Sequence, residues 1–232
     1  MVHPWDLTPA EAVALQKELR EKIILRPLPL PVRYVAGTDL SYNKYSEEFY
    51  SGIVVLDYQT MEVVAHSTVV RKSPFPYIPG LLSFREIPSL LAAWQLLPLR
   101  PELVFCDGHG IAHPRRLGIA THFGLVTETP AIGCAKKILV GQYEEPKKQK
   151  GRFSPIRHQE ETIGYALCTK DRIKPVFVSP GHLVSLEQSR ALVLHCARGY
   201  KLPEPTRQAH LLVNRLRRGE VEAGVWERQK SE

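Results

Sequence analysis

Apolar and polar positions along the chain predict alternating strands and helices. Residues 32–40, 51–58 and 62–70 are rich in Val, Ile and Tyr, and only the turn at 59–61 separates the last two. Segments of this kind are typical of strands, so we predict an antiparallel meander here. Shorter apolar segments predict later strands at 102–106, 131–134, 162–169 and 175–179.

Capping signals predict helices between these strands. Thr8-Pro9-Ala10-Glu11 is a capping box with proline in the first turn, so a helix is expected to run from there to about Lys22. Ser185 predicts the start of another helix, which Gly199 ends. Further helices are expected to end near Leu97, near Glu128 and at Gly219. A meander followed by strands that alternate with helices predicts an α/β fold, a mixed central sheet flanked by helices.

The 232-residue chain shows no internal repeat and no linker. We therefore expect one domain over residues 1–232, in which residues from about 220 to 232 form a flexible polar tail. Residues 136–152 are rich in lysine and are expected to form an exposed arm. No apolar segment approaches the roughly 20 residues that a membrane span requires, so we expect no membrane contact.

Charge and cysteine content narrow the choice of partner and compartment. The formal net charge of +7 favours an anionic partner, and nucleic acid is the commonest, although charge alone leaves this open. The four cysteines are widely spaced and form no C-x-x-C pair, which argues against a zinc ribbon. They indicate a reducing compartment, and we expect the cytoplasm.

Two aspartates stand at the polar ends of apolar, strand-like segments. Asp39 ends the segment 33–39, and Asp107 ends the segment 102–107. Each alone could simply cap the turn after its strand, as aspartate often does. If the strands are neighbours, however, the carboxylates repel each other unless a cation lies between them, which is how a hard-metal site is built. Gly108 then permits a tight turn and the close approach of a ligand.

Glu86 and His210 are candidate partners of the aspartates. Ser83 and Glu86 have capping-box spacing, so the glutamate could serve only a helix start. Pro88 argues against this because it would lack the N–H that bonds the preceding turn, so we expect the helix to begin nearer Glu86. A lone helical histidine such as His210 is usually structural, but its helix also carries Arg207, Arg215, Arg217 and Arg218, which suit a phosphate-facing surface.

Two turn histidines and one proline-rich loop are candidates for nucleic-acid contact. His113 and His182 could contact phosphate or merely brace their loops. Residues 73–80 contain too many prolines for a helix or a central strand. The segment Pro76-Tyr77-Ile78-Pro79-Gly80 could be a rigid wedge that separates stacked bases, or a hydrophobic loop packed on the core.

Taken together, these segments closely resemble the endonuclease V family. The resemblance runs from Trp5 to about Gly219. It rests on Val-Ala-Gly-Thr-Asp39-Leu-Ser, Phe-Pro-Tyr77-Ile-Pro-Gly-Leu-Leu-Ser-Phe-Arg-Glu86, Asp107-Gly-His-Gly-Ile-Ala-His113-Pro-Arg, Ile-Gly-Cys-Ala-Lys136, Phe-Val-Ser-Pro-Gly-His182 and Pro-Glu-Pro-Thr-Arg-Gln-Ala-His210. Two mild departures from the family pattern, His109 and Lys137, lie outside the acidic residues.

The resemblance implies a ribonuclease H-like fold, with Asp39 on the first strand beside Asp107 on the fourth. It implies that Asp39, Asp107 and Glu86 ligate Mg²⁺, for which Mn²⁺ can substitute, and that His210 and Lys136 complete the catalytic group. The positions that match the family's strand wedge and pocket for flipped hypoxanthine are Pro76, Tyr77, Ile78, Pro79, Gly80, Leu82, Gly108 and Leu139. The candidate phosphate contacts are His113, Arg115, His182 and Arg207.

The resemblance also implies the activity. Members hydrolyse the second phosphodiester bond 3′ to a deaminated base in DNA and leave 3′-hydroxyl and 5′-phosphate ends, and we expect this DNA-repair nuclease to be a monomer. Inosine-containing RNA is an alternative substrate. A non-catalytic nucleic-acid-binding protein is a weaker alternative, because such a protein should have lost an acidic ligand, whereas Asp39, Glu86 and Asp107 are all present.

Overall fold

The computed structural model describes residues 3–43 and 46–229, and within these ranges nine strands form one sheet. The strands are β1 (Tyr34–Tyr42), β2 (Glu48–Asp57), β3 (Val63–Lys72), β4 (Leu103–Cys106), β5 (Ala131–Ala135), β6 (Phe153–His158), β7 (Glu161–Leu167), β8 (Val176–His182) and β9 (Val225–Glu227). Their order across the sheet is β6-β7-β8-β5-β4-β1-β2-β3-β9. The predicted meander is therefore confirmed as β1-β2-β3.

Helices cover both faces of this sheet. They are α1 (Pro9–Arg20), α2 (Leu82–Leu96), α3 (Ile119–Thr127), α4 (Leu186–Cys196) and α5 (Glu204–Arg217). α1 begins at the predicted capping box, where Thr8 and Glu11 exchange side-chain and backbone hydrogen bonds. α4 begins at Ser185, whose hydroxyl accepts the backbone N–H of Gln188 at 3.2 Å. No helix among the described residues is long and apolar enough to cross a membrane.

Strand directions bring many chain segments to one edge of the sheet. β1, β4 and β5 run parallel, while β8, β7 and β6 continue the sheet in antiparallel pairs. The C-terminal ends of β1, β4, β5 and β7 and the N-terminal ends of β8 and β6 therefore lie along the same edge. We call it the upper edge, and the opposite one the lower edge. The mixed sheet with its flanking helices confirms the predicted α/β architecture.

Alternating side chains along the central strands build a separate core on each face. On one face, Leu103 and Phe105 of β4 belong to a buried cluster with Leu192 of α4 and Leu212 of α5. On the other face, Val104 and Cys106 lie with Ile87 of α2 and Phe123 of α3. Because β4 is covered on both faces, it appears in the sequence as a continuous apolar segment.

Gly37 in the middle of β1 lets α5 approach the sheet closely. A Cβ atom at this position would lie 2.0 Å from the backbone oxygen of Pro205, in the first turn of α5. Such a contact is impossible without movement of the helix backbone. The glycine therefore fixes how closely α5 packs on β1, and with it the position of the side chains further along the helix.

Two strands were not predicted. β6 contains Pro155 and lies at the sheet edge, where a proline is tolerated because the missing N–H is not needed for pairing. β9 lies in the segment that was expected to be a flexible tail. It pairs with β3, Trp226 stacks on His66 with ring centroids 5.5 Å apart, and Thr68 bonds the backbone at Gly224. Residues 230–232 of the expected tail lie outside the described ranges.

We predict that Gly37→Ala destabilises the protein by about 3 kcal/mol or more, because the new methyl group would clash with helix backbone that has no room to move. Urea unfolding followed by circular dichroism measures this change. Gly52→Ala in the neighbouring strand is the control, since its Cβ would meet side-chain methyl groups of Val213 at 2.9 Å and Thr68 at 3.2 Å. These methyl groups can adjust, so the loss of stability should be smaller. Equal losses for the two variants would contradict the argument.

Candidate active site

Asp39 and Asp107 lie side by side at the upper edge. β1 and β4 pair in parallel up to Thr38 opposite Cys106, so the next residues, Asp39 and Asp107, are neighbours. Asp107 follows β4 as expected, whereas Asp39 lies within β1, which continues to Tyr42 because it pairs with β2. Oxygen atoms of both carboxylates and a ring nitrogen of His210 all lie within 4.8 Å of one another. The structure therefore brings together three candidates that the sequence placed far apart.

His210 reaches the aspartates from α5. Its Nδ1 lies 2.8 Å from Oδ2 of Asp39, and Asn214 one turn later donates a hydrogen bond to the backbone oxygen of His210. The hydrogen bond and negative charge of Asp39 raise the pKa of His210 despite its partial burial. The histidine is thus held on Asp39, with its ring half exposed to solvent.

Lys136 follows β5 and pairs with the second aspartate. Its Nζ lies 2.5 Å from Oδ2 of Asp107. Burial and the charge of Asp39 raise the pKa of Asp107, and the lysine only partly offsets them. Burial opposes the charged form of Lys136, but the hydrogen bond and charge of Asp107 outweigh it and raise the pKa of the amine. The positive charge of Lys136 alone therefore does not neutralise the carboxylates of the site.

Glu86 approaches the aspartates from α2. The expectation that this helix begins near Glu86 is wrong: α2 begins at Leu82 and retains Pro88 within it. The capping alternative also fails, because the cap position has no side-chain hydrogen bond and Ser83 instead bonds Nδ1 of His122 at 2.9 Å. Glu86 lines a cleft together with Asp39 and Asp107, but it is not part of the group of ligand atoms that lie within 4.8 Å of one another.

Burial and electrostatic repulsion make Glu86 the most perturbed acid of this group. Burial raises its pKa to about 8, and the charges of Asp39 and Asp107 contribute in the same direction. Three carboxyl groups in one cleft cannot all ionise cheaply without a nearby cation. Oxygen-rich, strongly repelling donors of this kind fit a hard divalent cation such as Mg²⁺.

A second cavity, of about 260 Å³, opens beside the acidic cleft and shares Glu86 and Asp107 with it. Seven of the eight residues predicted for the wedge and base pocket line it: Tyr77, Ile78, Pro79, Gly80, Leu82, Gly108 and Leu139. Pro76 lies in the same loop outside the lining. The structure thus assembles these residues from three separate chain segments.

The loop at residues 76–80, which we call the wedge loop after its predicted role, is firmly anchored but presents its aromatic side chain to solvent. Phe75 and Leu81, on either side of it, are buried in one hydrophobic cluster. Gly80 has a φ of +80°, which favours glycine, and its carbonyl oxygen accepts hydrogen bonds from Gln16 and Arg115. Tyr77 nevertheless remains 64% exposed. The expected packing of the loop on the core is therefore confirmed for its two flanks, and its tip projects into solvent.

Sequence reasoning missed several residues of this cavity. Ser83, His109, Leu117, Gly118 and Ile119 also line it. Among the described residues, Nδ1 of His109 is buried and has no hydrogen-bond partner, and burial lowers the pKa of this histidine to about 4. The ring is therefore neutral near pH 7. Its place directly after Gly108 in the turn that follows Asp107 is the only sequence signal that could have indicated it.

Two candidate phosphate contacts lie near the cavity but have internal roles. His113 is buried and lines the cavity, and burial together with the charge of Arg115 lowers its pKa to about 4. A neutral, buried histidine offers little attraction to phosphate. Arg115 donates a hydrogen bond from Nη2 to the carbonyl oxygen of Gly80 at 2.8 Å. Its guanidinium group therefore supports the wedge loop.

The other two candidates also have partners within the protein. His182 ends β8 at the lower edge, opposite Ala131, and its Nδ1 accepts the backbone N–H of Ile24 at 3.3 Å. The structure does not bring it to the acidic cleft, so its predicted phosphate contact is not supported by its position. Arg207 donates two hydrogen bonds to Glu204, at 2.7 and 2.6 Å.

Comparisons with known proteins agree with this architecture. The sequence model of the Endonuclease V family matches residues 17–211. Endonuclease V from Myxococcus xanthus is 48% identical over 227 residues, covering 97% of each chain, and that from Dictyoglomus turgidum is 49% identical over 91% of this chain and 92% of its own. The crystal structure of Endonuclease V from Streptomyces avermitilis matches with a TM-score of 0.88 and 43% identity, over 94% of this chain and 96% of its own.

A solved complex adds a ligand to the comparison. Ciona intestinalis Endonuclease V, bound to a 24mer DNA containing an inosine followed by a ribo-adenosine, has a TM-score of 0.82 and 32% identity, over 91% of this chain and 98% of its own. A ribonuclease H-like fold with one aspartate within its first strand, beside another that follows its fourth strand, defines a hydrolase of the nuclease class. Within that class, the chain belongs to the Endonuclease V family.

We predict that Glu86→Gln stabilises the metal-free protein more at pH 8 than at pH 5. The folded-state pKa is raised from 4.5 to about 8, so the folded protein holds this proton longer than the unfolded chain. Stability contributed by the protonated acid is therefore lost as the pH rises between these values. The difference should be on the order of 3 kcal/mol.

Urea unfolding in EDTA at the two pH values measures the effect. Glu47→Gln, at an exposed glutamate, is the control and should change stability equally little at both. If Glu86→Gln gave the same change at pH 5 and pH 8, the burial argument for Glu86 would be wrong.

Proposed function

We propose that this chain is a metal-dependent endonuclease that recognises hypoxanthine in DNA. It hydrolyses the second phosphodiester bond 3′ to the deaminated nucleotide and leaves 3′-hydroxyl and 5′-phosphate ends. Mg²⁺ is the proposed ion, and Mn²⁺ can replace it. The observation that carries the proposal is the adjacency of two sites, since the acidic cleft and the wedge-lined cavity share Glu86 and Asp107.

The cavity and wedge suit an extruded base. Tyr77 projects from an anchored loop, which lets its ring occupy the space that the flipped nucleotide leaves in the stack. A deaminated base pairs poorly, so extruding it costs less than extruding a normal base, by part of a few kcal/mol. The inosine-containing DNA bound by the Ciona relative supports this substrate class.

Asp39, Asp107 and Glu86 would hold the metal ion, with His210 beside them. A divalent ion there would activate water and neutralise charge on the phosphate that is attacked. Burial, and to a lesser extent carboxylate repulsion, raise the pKa values of Glu86 and Asp107, and a bound divalent ion would offset the repulsion. Relief of this repulsion favours tight binding of a cation to the metal-free site.

Lys136 and His210 would act on the substrate directly. The Lys136 ammonium group, held on Asp107, lies where it can neutralise a phosphate oxygen at the cleft. Asp39 orients the His210 ring through Nδ1, and Nε2, which lies 3.3 Å from Nδ2 of Asn214, would exchange a proton with the reacting oxygen atoms. Recognition and hydrolysis use separate sites, so the cut falls at a distance from the lesion.

Three finer expectations belong to this proposal. Inosine-containing RNA is the alternative substrate, and parallel assays on RNA and DNA oligonucleotides of the same sequence decide between them. The four cysteines are buried and reduced, which suits a cytoplasmic protein. We propose that the chain acts as a monomer, because both sites are built from residues of one chain.

The direct test is nicking of a duplex that contains one inosine, with and without EDTA, with the cut mapped on a sequencing gel. Cleavage only in Mg²⁺, at the second bond 3′ to inosine, is expected. Cleavage that persists in EDTA, or that ignores inosine, would contradict the proposal.

We predict that Asp107→Ala lowers the cleavage rate at least about 1,000-fold, because a ligand and the partner of Lys136 are both lost. Single-turnover nicking measures the rate, and fluorescence anisotropy shows that lesion binding largely survives. Asp6→Ala, at an exposed aspartate outside the site, is the control and should cleave normally. Near-normal nicking by Asp107→Ala in Mg²⁺ would rule out the metal assignment.

Tyr77→Ala should weaken binding to inosine duplex roughly 10-fold or more, because stacking of one base on an aromatic ring contributes about 1–3 kcal/mol. Anisotropy with labelled duplex in the absence of Mg²⁺ measures the affinity. Tyr77→Phe retains the ring and should bind like the unchanged protein. Unchanged affinity of Tyr77→Ala would show that the loop is not a wedge.

A further inference from the structure

Most of the net charge of the protein is concentrated in two short segments. Residues 146–152 and 170–174 contain seven cations and one carboxylate, Asp171. Their net charge is +6, compared with +7 for the whole chain. We call the seven cations the basic ridge; they are Lys147, Lys148, Lys150, Arg152, Lys170, Arg172 and Lys174.

Hydrogen bonds to the backbone hold the two segments together. The N–H of Arg172 donates to the carbonyl oxygen of Lys148 at 2.8 Å, and the N–H of Lys150 donates to Oδ1 of Asp171 at 2.6 Å. The backbone at Cys168 bonds that of Gly151 and Arg152 at 2.8 and 2.9 Å. The exposed arm expected from the sequence is therefore a built surface, and the single carboxylate binds a backbone N–H.

Among the described residues, the ridge cations form no ion pair with an acidic side chain. All seven side chains are exposed, and within the described residues none lies within 4.0 Å of a carboxylate. Elsewhere on the surface, arginines such as Arg218 and Arg228 do form such ion pairs. Seven neighbouring positive charges repel one another, and an anionic partner would relieve that repulsion.

The ridge lies along the upper edge, in line with the acidic cleft. Its segments precede β6 and connect β7 to β8, and Lys136 at the start of the arm contacts Asp107. From β4 to β6 the sheet takes four steps, through β5, β8 and β7. At about 4.8 Å per step this spans ~19 Å. B-form DNA covers that distance in about six base pairs, at 3.4 Å each.

We propose that the basic ridge binds the phosphate backbone of the duplex that flanks the scissile bond. The contact is separate from the cavity that receives the base, and it rests on the proposed function only for the identity of the substrate. A row of lysine and arginine side chains without a pocket suits phosphates spaced along a helix, and it carries no base readout. The ridge thus adds affinity and register on one side of the cut.

The test is the triple variant Lys147→Gln, Lys148→Gln, Lys150→Gln in the full chain. Anisotropy with a labelled inosine duplex of about 30 base pairs, without Mg²⁺, gives the affinity over a salt series. We expect roughly 10-fold weaker binding near 0.1 M salt. We also expect the slope of log affinity against log salt to fall by up to about 3, since each phosphate contact contributes about 0.9.

Two matched variants separate the ridge from the general charge. The triple exchange of the same three lysines for arginine keeps the charge and should bind like the unchanged protein. The triple variant Arg26→Gln, Arg33→Gln, Arg198→Gln removes equal charge from the lower edge, and its affinity should fall much less. Equal loss for the two glutamine variants, or no loss from the ridge variant, would overturn the proposal.

Duplex length gives an independent measurement. The flank is shortened stepwise on either side of the lesion, and the ridge variant is compared with the unchanged protein on each duplex. The difference should vanish once one flank is shorter than about six base pairs beyond the cut, and it should persist when the other is shortened. A difference that ignores both flanks would overturn the proposal.

These binding measurements need no cleavage, so their outcome can be distinguished from that of the nicking assay. One outcome is that the ridge variant loses duplex affinity while the unchanged protein shows no inosine-dependent nicking. This outcome would refute the proposed function and support the proposal for the ridge. The other outcome is that the ridge variant binds duplex normally while the unchanged protein nicks inosine-containing duplex. This outcome would refute only the proposal for the ridge.

Discussion

The parallel pairing of β1 with β4 is the constraint on which the rest of the site depends. It places Asp39 and Asp107 side by side at one level, where burial and the charge of Asp39 raise the pKa of Asp107. The neighbouring elements then supply the other groups: α2 brings Glu86, α5 brings His210, and the end of β5 brings Lys136. The close approach of α5 at Gly37 completes this arrangement, because it sets the depth of the helix that carries the histidine.

Patterns of apolar residues were sufficient to predict the meander, the central strands and two helix caps, because each depends on local chemistry. The start of α2 could not be predicted in the same way. Leu81 caps it without a side-chain hydrogen bond, and Pro88 is tolerated within the helix because Ile87 and Leu90 are buried against the sheet. Tertiary packing outweighed the local signals there. β6 was missed for a related reason, since only an edge position tolerates Pro155.

The aspartates could be anticipated because a charged residue directly after a buried apolar segment is itself a signal, although Asp39 lies within β1 and not at its end. The internal hydrogen bonds of the candidate phosphate contacts could not be anticipated, because their partners are distant in sequence. Arg115 bonds Gly80, and His182 bonds Ile24, and neither contact leaves a trace in the local pattern. The same holds for His109, whose unpartnered nitrogen appears only when the cavity is formed. Composition indicated the lysine-rich arm. Its alignment with the acidic cleft, however, could be recognised only from the order of the strands in the sheet.

The short strand β9 has a consequence for how molecules of this protein behave beside one another. Without it, the middle of β3 would be a sheet edge whose free N–H and C=O groups can pair with a second chain. Trp226 and Gly224 fasten the covering strand to His66 and Thr68. At the other end of the sheet, Pro155 interrupts the donors of β6. Resistance to intermolecular β-pairing, and so to aggregation, therefore resides partly in a C-terminal segment that takes no part in the chemistry.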